Sequence, residues 1–254
     1  MRSVLLLALA ACSYSPQPAS LTDLSDGPSD STVEPSDSTT DAPEPSLVAD
    51  PFTSGTTVGF SNSLTFQHEV GVGANRILLV GISISFAGSL VTSVTYGAAA
   101  LTRAGAINAP SSDGRVEIWA LRAPASGAAS VLILLDDASS TIVAGAVSFS
   151  GVDPATPLGP FNSASASSGD PSITVATTAG EVAFGVVMWN GGDYSSLSTA
   201  QQQAWNKNGA NVGSCCSIVG ASALTTAVSP TLGWVVEGSF DDFWAIGAVA
   251  IRPD

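Results

Sequence analysis

Positive charge is what this sequence has least of. Only 7 of the 254 residues are Lys or Arg, against 21 Asp or Glu, and a single residue is His. Nucleic-acid binding needs clustered basic residues that neutralise phosphates, and attraction to an anionic bilayer surface needs them too. The composition therefore excludes nucleic acid as an expected partner and disfavours electrostatic binding to membranes.

Cysteine is also scarce, and the chain has no apolar run long enough to span a membrane. The three cysteines cannot build an ordinary disulfide framework. The apolar run that opens the chain, Val4 to Leu9, falls far short of the ~20 residues that a membrane-spanning helix requires. Its place after Arg2 and before small residues is typical of a secretory signal.

The opening segment ends in a specific motif, Leu9-Ala10-Ala11-Cys12. This motif resembles the lipobox of bacterial lipoproteins, a family in which the cysteine is acylated and becomes the mature N-terminus. The resemblance implies a signal peptide over residues 1–11, lipidation at Cys12, and contact with a membrane through acyl chains, since two or more chains anchor a protein stably. Ser13, where Asp would favour inner-membrane retention, implies the outer membrane in a Gram-negative host. The alternative is an ordinary signal cut after Ala10, which would release a secreted protein.

Residues 12–50 are typical of an acidic stalk. From residue 13 onward they hold eight Asp or Glu, no Lys or Arg, and many Ser, Thr and Pro. So few apolar side chains cannot offset the entropy cost of ordering the backbone. The sequence predicts a disordered spacer that carries a domain away from the membrane.

Residues 51–254 have a sequence pattern typical of an all-β domain. Short runs rich in Val, Ile, Phe and Trp alternate with turn residues. The expected fold is a two-sheet β-sandwich, jelly-roll-like, with about 11 to 13 strands. The predicted strands are Leu64–Glu69, Arg76–Phe86, Val91–Tyr96, Arg115–Leu121, Ser130–Asp136, Ile142–Ser150, Ser172–Thr177, Glu181–Trp189, Cys216–Ala223, Leu232–Glu237 and Phe243–Arg252.

The domain also shows an internal duplication. The segment 76–81 aligns with 180–185, and 144–149 aligns with 246–251. Two duplicated halves would both contribute to the sandwich. A chance match between low-complexity β sequences is the alternative.

A second resemblance concerns the first half of the domain. The motif Val94-Thr-Tyr-Gly97, the run Val116-Glu-Ile-Trp119 and the segment Ser148–Pro157 are similar to an uncharacterised β-sandwich family of exported bacterial surface proteins. The resemblance implies a fold but carries over no activity and no site residue. Locally, Asp153-Pro154 predicts a turn at the exit from a buried strand.

Catalytic motifs are missing. There is no G-x-S-x-G nucleophile elbow, and His68, the only possible histidine base, is expected at a surface or edge-strand position. A glycosidase would need two carboxylates facing each other across a cleft. Alternation with apolar neighbours predicts that Glu117, one of four candidates, faces solvent; the others are Glu69, Glu181 and Glu237.

Aromatic residues give the only ligand-binding hypothesis. Trp205 lies among polar amides in Gln201–Gly209, which predicts an exposed loop tryptophan able to stack on a sugar ring. A second candidate group follows a predicted strand: Trp189, Asn190, Asp193 and Tyr194. For most strand tryptophans, Trp189 included, packing in the core is the competing expectation.

Adjacent cysteines and paired acids complete the candidates. Cys215 and Cys216 either form a strained vicinal disulfide or remain separate small apolar residues. Asp136-Asp137 and Asp241-Asp242 follow strands in the two halves and raise the question of calcium, but no calcium-loop motif occurs. We therefore predict no metal site and no cofactor.

Together these features predict a lipid-anchored cell-surface module without catalytic activity, used for adhesion, display or weak carbohydrate binding. A glycan or a surface protein is the expected partner. The alternative function is an envelope polysaccharide hydrolase that uses a pair of Glu residues.

Overall fold

A computed structural model describes residues 46–190, 193–197, 201–209, 218–237 and 243–254. Within them lie 18 β-strands, one short 3₁₀ turn at Pro110–Ser112, and no α-helix. The strands are β1 (Val48–Ala49), β2 (Thr53–Thr56), β3 (Ser63–Val70), β4 (Ile77–Ile84), β5 (Val91–Tyr96), β6 (Ala99–Ala100), β7 (Thr102–Asn108), β8 (Arg115–Arg122), β9 (Gly127–Leu135), β10 (Ile142–Ser150), β11 (Asn162–Ala166), β12 (Ser172–Thr174), β13 (Val182–Asn190), β14 (Asp193–Leu197), β15 (Gln202–Asn208), β16 (Ile218–Thr225), β17 (Thr231–Glu237) and β18 (Trp244–Ile251).

The predicted all-β sandwich is confirmed, and the strands form four antiparallel sheets. In the first half, β10, β4, β8 and β7 lie side by side, with β1 and β2 on the outer edge of β10, and β3, β9, β5 and β6 form a smaller sheet. The second half repeats this plan with the order β11-β18-β13-β16-β15 and a smaller sheet β12-β17-β14. Each half is thus a two-sheet sandwich, and the strands beyond the predicted 11 to 13 are mostly short or edge strands.

The larger sheets of the two halves pack face to face. Their facing side chains form one shared core, which includes Leu79 and Ile118 from the first half and Phe184 and Val249 from the second. The opposite face of each large sheet packs on the small sheet of its own half, which gives two further cores. Strands β4 and β13 are consequently covered on both faces, which explains their uninterrupted apolar sequence.

The two halves are related by an approximate twofold axis. Strand β4 of the first half contacts β16 of the second, and the equivalent strand β13 contacts β8, the equivalent of β16. The pairs β8 with β18 and β16 with β10 are reciprocal in the same way. This pattern is that of an isologous interface, in which the same surface is used twice, so the duplicated halves pack like the subunits of a dimer.

Aromatic rings cover glycines at both ends of this interface. The ring of Trp205 lies directly over Gly145, and a Cβ added to this glycine would be only 2.5 Å from two atoms of the ring. The same ring also covers Gly81. On the other side Phe161 covers Gly247 and Gly105 in the same way. Glycine lets the aromatic rings approach the central strands, and the rings fill the space between the sheets.

The N-terminal end of the domain is fastened to the first large sheet. Val48 pairs with Ser150, and β2 pairs with the other end of β10. Asp50 also donates its backbone N–H to the Ser148 carbonyl (2.9 Å). Within the described ranges, strand pairing therefore begins at Val48, before the boundary at residue 51 that composition predicts.

Candidate functional site

Two aromatic residues of the predicted binding site, Trp205 and Trp189, are buried. Trp205 lies on β15 with its side chain 4 % exposed, packed in the shared core beside Phe184 with ring centroids 6.0 Å apart. Trp189 on β13 is fully buried. The expectation of an exposed loop position for Trp205 is wrong, and neither ring offers a face to a sugar.

The physical reason is a break in strand alternation. The pairing of β15 with β16 shifts register between Gln203 and Trp205, as a β-bulge does when one extra residue is inserted. The bulge turns Trp205 inward although its neighbours in sequence are polar. The polar residues that flank Trp205 in the sequence therefore led to a wrong prediction of where its side chain points.

The other predicted site residues are described only in part. Asn190 is half-buried at the end of β13, where its backbone N–H donates to the Phe243 carbonyl (2.9 Å). Asp193 and Tyr194 contribute backbone to β14, which pairs with β17, and their side chains lie outside the description. Cys12, Cys215 and Cys216 lie outside the described residues, as do Asp241 and Asp242.

Asp136 and Asp137, in the loop between β9 and β10, fasten this loop to the one between β4 and β5. Asp136 accepts a hydrogen bond from the Leu90 backbone (2.8 Å), and Asp137 accepts from Ser89 Oγ (2.7 Å) and from the Ser139 backbone (3.0 Å). Within the described part of the chain, no three His, Cys, Asp or Glu side chains come together as metal ligands.

The only histidine is buried in a polar network where the chain enters the domain. Of the two expected positions, surface or edge strand, the second is found: His68 lies on β3, an edge strand of the small sheet, but its side chain is only 1 % exposed. Thr53 Oγ1 is 2.9 Å from Nδ1 and Ser148 Oγ is 3.1 Å from Nε2. Ser148 donates its proton to the Asp50 carboxylate, which also accepts from the Gly71 backbone. Burial lowers the pKa of His68 from 6.5 to about 4, and the nearby Asp50 opposes the shift. The imidazole is therefore neutral at pH 7.

This network contains serine, histidine and aspartate, but its hydrogen bonds do not run in the direction that a serine hydrolase requires. A catalytic histidine accepts the serine proton and is itself oriented by the acid. Here the Ser148 proton goes to Asp50, so Ser148 Oγ must accept from Nε2–H of His68, and Nδ1 accepts from Thr53. Ser148 is also fully buried. The arrangement ties β2, β3 and β10 together and leaves no basic nitrogen facing the serine.

Glu117 is also buried, which corrects the predicted solvent-facing position. One carboxylate oxygen accepts from Arg115 Nε (2.5 Å) and the other from Trp119 Nε1 (2.7 Å). Both faces of β8 are covered, one by the second half and the other by the small sheet of the first, so alternation along this strand does not separate core from solvent. The Glu117 carboxylate is occupied by structural partners.

Two of the remaining candidate carboxylates, those of Glu69 and Glu181, do not meet Glu117 in a cleft. Glu69 is exposed on β3, and Glu181 faces Arg252 at 3.4 Å. The side chain of Glu237 lies outside the description.

A cleft of about 640 Å³ lies at one end of β8. At this end β8 is crossed by the joining segment, residues 151–161, which connects β10 of the first half to β11 of the second. Its lining is mostly small or apolar, with two arginines and two threonines: Ile77, Ala100, Thr102, Arg103, Ala104, Ala120, Leu121, Arg122, Ala155, Thr156, Pro157 and Leu158. Ligand sites in proteins typically have this volume and this mixture of apolar walls with few polar groups. Sequence reasoning missed this cleft.

The joining segment forms a braced wall of the cleft. Arg122 donates from Nη2 to the carbonyls of Pro154 and Ala155. Asp153 accepts from the backbone of Ala155 (2.7 Å) and Thr156 (3.0 Å), which confirms the predicted turn. These hydrogen bonds, that of Thr156 foremost, hold the pKa of Asp153 below its usual value.

Two arginines, Arg103 and Arg122, are among the residues that line the cleft. Arg103 pairs with Trp119 in the β7–β8 ladder, so its side chain lies on the face of the sheet that carries Trp119. Its side chain is 46 % exposed, and its closest carboxylate oxygen, on Glu117, is 3.8 Å away. The guanidinium lies over the ring of Trp119, 6.0 Å from the centroid. A sequence signal for this region exists: four of the seven basic residues fall between positions 76 and 122.

Known proteins offer no guide to this site. No family model, curated protein or solved structure matches the chain. The described residues also contain no helix of the length and apolarity needed to cross a membrane.

Proposed function

We propose that this chain is a lipid-anchored binding and display module of the cell envelope that performs no catalysis. The lipobox-like motif at Cys12 and the acidic segment after it supply an anchor and a spacer. The β-sandwich domain that follows supplies a surface for adhesion, display or weak carbohydrate binding.

One observation carries the non-catalytic part of the proposal. The single histidine is buried with both ring nitrogens engaged, and its serine neighbour donates to Asp50 rather than to it. A polysaccharide hydrolase would need two carboxylates open to a cleft, and Glu117 is buried with its oxygens already bonded. These groups account for the fold rather than for chemistry on a substrate.

The way the chain enters the domain supports the display role. Strands β1 and β2 and the Asp50 side chain attach the first paired residues to β10, which is itself hydrogen-bonded to β4. A pull on the N-terminal segment would thus be distributed over the large sheet. This arrangement suits a tethered domain.

Metabolic labelling tests the anchor. Cells expressing the full chain are fed an alkyne-tagged fatty acid, and the purified protein is analysed for the tag and by intact mass. We expect one acylated product beginning at Cys12, and no tag in Cys12→Ala. An unlabelled wild-type chain that is cut after Ala10 would show a secreted protein instead.

A glycan array tests the recognition role with the Cys12→Ser chain. Binding to any envelope glycan supports carbohydrate recognition. A flat response across a broad panel would reject it and leave display or protein adhesion. Release of reducing sugar from the same polysaccharides would overturn the non-catalytic proposal.

A further inference from the structure

Exposed apolar side chains are concentrated at one end of the first half. Val58 and Phe60 lie in the loop between β2 and β3, and Val58 is 92 % exposed. Phe86 and Leu90 lie in the loop between β4 and β5, and Phe86, the least exposed of these four loop residues, is still 44 % exposed. Leu134 lies at the same end, next to the last residue of β9. These five of the nine exposed large apolar residues in the described part of the chain form a surface that we call the apolar tip.

Buried hydroxyl groups hold the loops of the apolar tip in one arrangement. Ser140, in the loop between β9 and β10, accepts at its carbonyl from the Ser61 backbone (2.9 Å). Its hydroxyl donates to Ser89 Oγ (2.8 Å), which donates in turn to Asp137 (2.7 Å). Ser89 and Ser140 are fully buried. The apolar side chains therefore extend from a fixed backbone, which lowers the ordering cost of binding a partner.

The apolar tip is far from the point where the N-terminal segment enters the domain. That segment pairs first with Ser150, at one end of β10. It reaches the loop of Val58 at the other end, where the Thr57 backbone donates to the Ile142 carbonyl (3.0 Å). From Ile142 to Ser150 the strand extends about 26 Å, at ~3.3 Å per residue. A tethered domain would thus present the apolar tip away from its attachment, where a partner can reach it.

The charges around the apolar tip are all negative. The four loops at this end contain three Asp and no Lys or Arg; they are residues 57–62, 85–90, 109–114 and 136–141. Asp136 and Asp137 are exposed, and the hydrogen bond from Ser89 lowers the pKa of Asp137. A second copy of this chain, or an anionic bilayer, would bring like charges together here. A partner that fits this surface therefore combines apolar side chains with positive charge.

We propose that the apolar tip binds a cationic amphipathic segment of a partner protein, whose apolar side chains cover Phe60 and Phe86 while its Lys or Arg side chains face Asp136 and Asp137. Protein interfaces have this composition, with aromatic anchors at the centre and charged groups at the rim. The proposal rests on the adhesion role proposed above and names its partner class, but it needs neither the acyl anchor nor carbohydrate recognition.

Fluorescence polarisation with a synthetic peptide tests this surface. The probe is a dye-labelled amphipathic helix of leucine and lysine, and its counterpart has every lysine replaced by glutamate. The protein is the full chain with Cys12→Ser, so that no acyl chain competes for the apolar face of the peptide. We expect saturable binding of the lysine peptide, weakened by salt, and no binding of the glutamate peptide.

Variants with matched controls assign the binding to the apolar tip. Phe86→Ser is expected to weaken binding of the lysine peptide by about tenfold, as loss of one interface anchor does. Its control is Val228→Ser, which removes an exposed apolar side chain of the second half and should leave the titration unchanged. Asp136→Asn keeps the acceptor for the Leu90 backbone and is expected to weaken binding by about threefold and to reduce its salt dependence. Glu69→Gln removes an exposed charge on β3 and should have no such effect.

Thermal unfolding confirms that each variant is folded. Phe60→Ser, in the other loop, provides a second test of the surface if Phe86→Ser is unstable, and the same tenfold loss is expected.

Four outcomes would overturn the proposal. The first is a flat titration, which would reject this partner class but leave the display role, since that role depends on the anchor. The second is equal binding by the wild type, Phe60→Ser and Phe86→Ser. The third is an equal loss in Asp136→Asn and Glu69→Gln, which would mean that overall charge governs binding. The fourth is a dimer in sedimentation, or binding to phosphatidylethanolamine–phosphatidylglycerol vesicles, that Phe86→Ser abolishes, because a second copy or a lipid surface would then be the occupant.

Discussion

The two halves of the domain have the same strand order but different interiors. In the first half, buried polar side chains are frequent and include His68, Glu117 and Ser148. In the described part of the second half, the buried polar side chains are Thr177 and Thr225, and the outer core is built around large aromatic residues, among them Trp189, Trp234 and Trp244. One topology therefore accommodates two kinds of core.

The difference shows what buried polar groups contribute. A buried polar group is costly unless it is hydrogen-bonded, so each network in the first half is stable only in one strand register. Asp50, Ser148 and His68 connect strands far apart in sequence, and the N-terminal segment enters the domain at this point. We infer that the first half gains a defined attachment, whereas the second half gains apolar burial.

The largest effect is expected at the boundary between the halves. Trp205 belongs to the second half but fills the space above two glycines of the first. Trp205→Ala is expected to lower the free energy of unfolding by about 3–5 kcal/mol, as truncation of large core residues does. Urea denaturation measures it, with Val228→Ala, an exposed position of the second half, as the control. A loss below about 1 kcal/mol for Trp205→Ala would show that the interface between the halves is not a true core.

A smaller effect is expected from the buried carboxylate of the first half. Glu117→Gln keeps the shape but removes the charge that pairs with Arg115, and hydrogen bonds to charged groups are each worth roughly 1.5–3 kcal/mol. We expect a loss in that range from denaturation curves. The matched control is Glu181→Gln, whose partner Arg252 is partly exposed, and exposed pairs contribute about 0–1 kcal/mol. Equal losses in the two variants would show that the buried carboxylate stabilises the fold no more than the partly exposed one.

The most gradual effect is a pH dependence specific to the first half. The pKa of His68 is about 4 in the folded protein and 6.5 ordinarily, so between these values the unfolded chain binds more protons than the folded one. Stability should fall as the pH is lowered from 6.5 toward 4, and this contribution should be constant above 6.5. Thermal unfolding across this range measures it. His68→Gln should flatten this part of the curve, and an unchanged slope would mean that other groups cause it.

Sequence patterns predicted the strands well, because local alternation and turn residues determine where strands form. Strands β5 and β10 begin and end at the predicted residues. The duplication was also visible, and the repeated sheet order confirms it. The missed strands are mostly edge strands such as β7 and β15, whose sequences carry few large apolar residues.

The side of the sheet on which a side chain lies was harder to predict than the position of the strands. Glu117 was expected at the surface because alternation assumes that one face of a sheet meets water, and for His68 a surface or an edge-strand position was expected. Glu117 lies on a sheet covered on both faces, and His68 faces the inside of its own half. Trp205 was expected in an exposed loop but faces the core, because a β-bulge that the local sequence does not reveal changes the direction of its side chain. The arginine cleft depends on the joining segment crossing β8, which no local pattern contains.

Two glycines that align in sequence show that the alignment of the two halves is wrong by one residue in this pair of equivalent strands. Gly81 and Gly185 align in sequence, but Gly145 pairs with Gly81 whereas its counterpart Gly247 pairs with Val186. Val186 therefore occupies the position equivalent to Gly81. A shift of one residue moves a side chain to the opposite face of the sheet, so the sequence alignment places Gly185 on the wrong face.

Hydrogen exchange tests most directly whether the two halves form a single body joined by a shared core. The full chain with Cys12→Ser is exchanged under native conditions, and the opening free energies of β4 and β10 are compared with those of β13 and β18. We expect all four strands to open together, at the free energy of global unfolding. If β13 and β18 exchanged freely while β4 and β10 stayed protected, the halves would be independent, and the cleft between β8 and the joining segment would lose its structural basis.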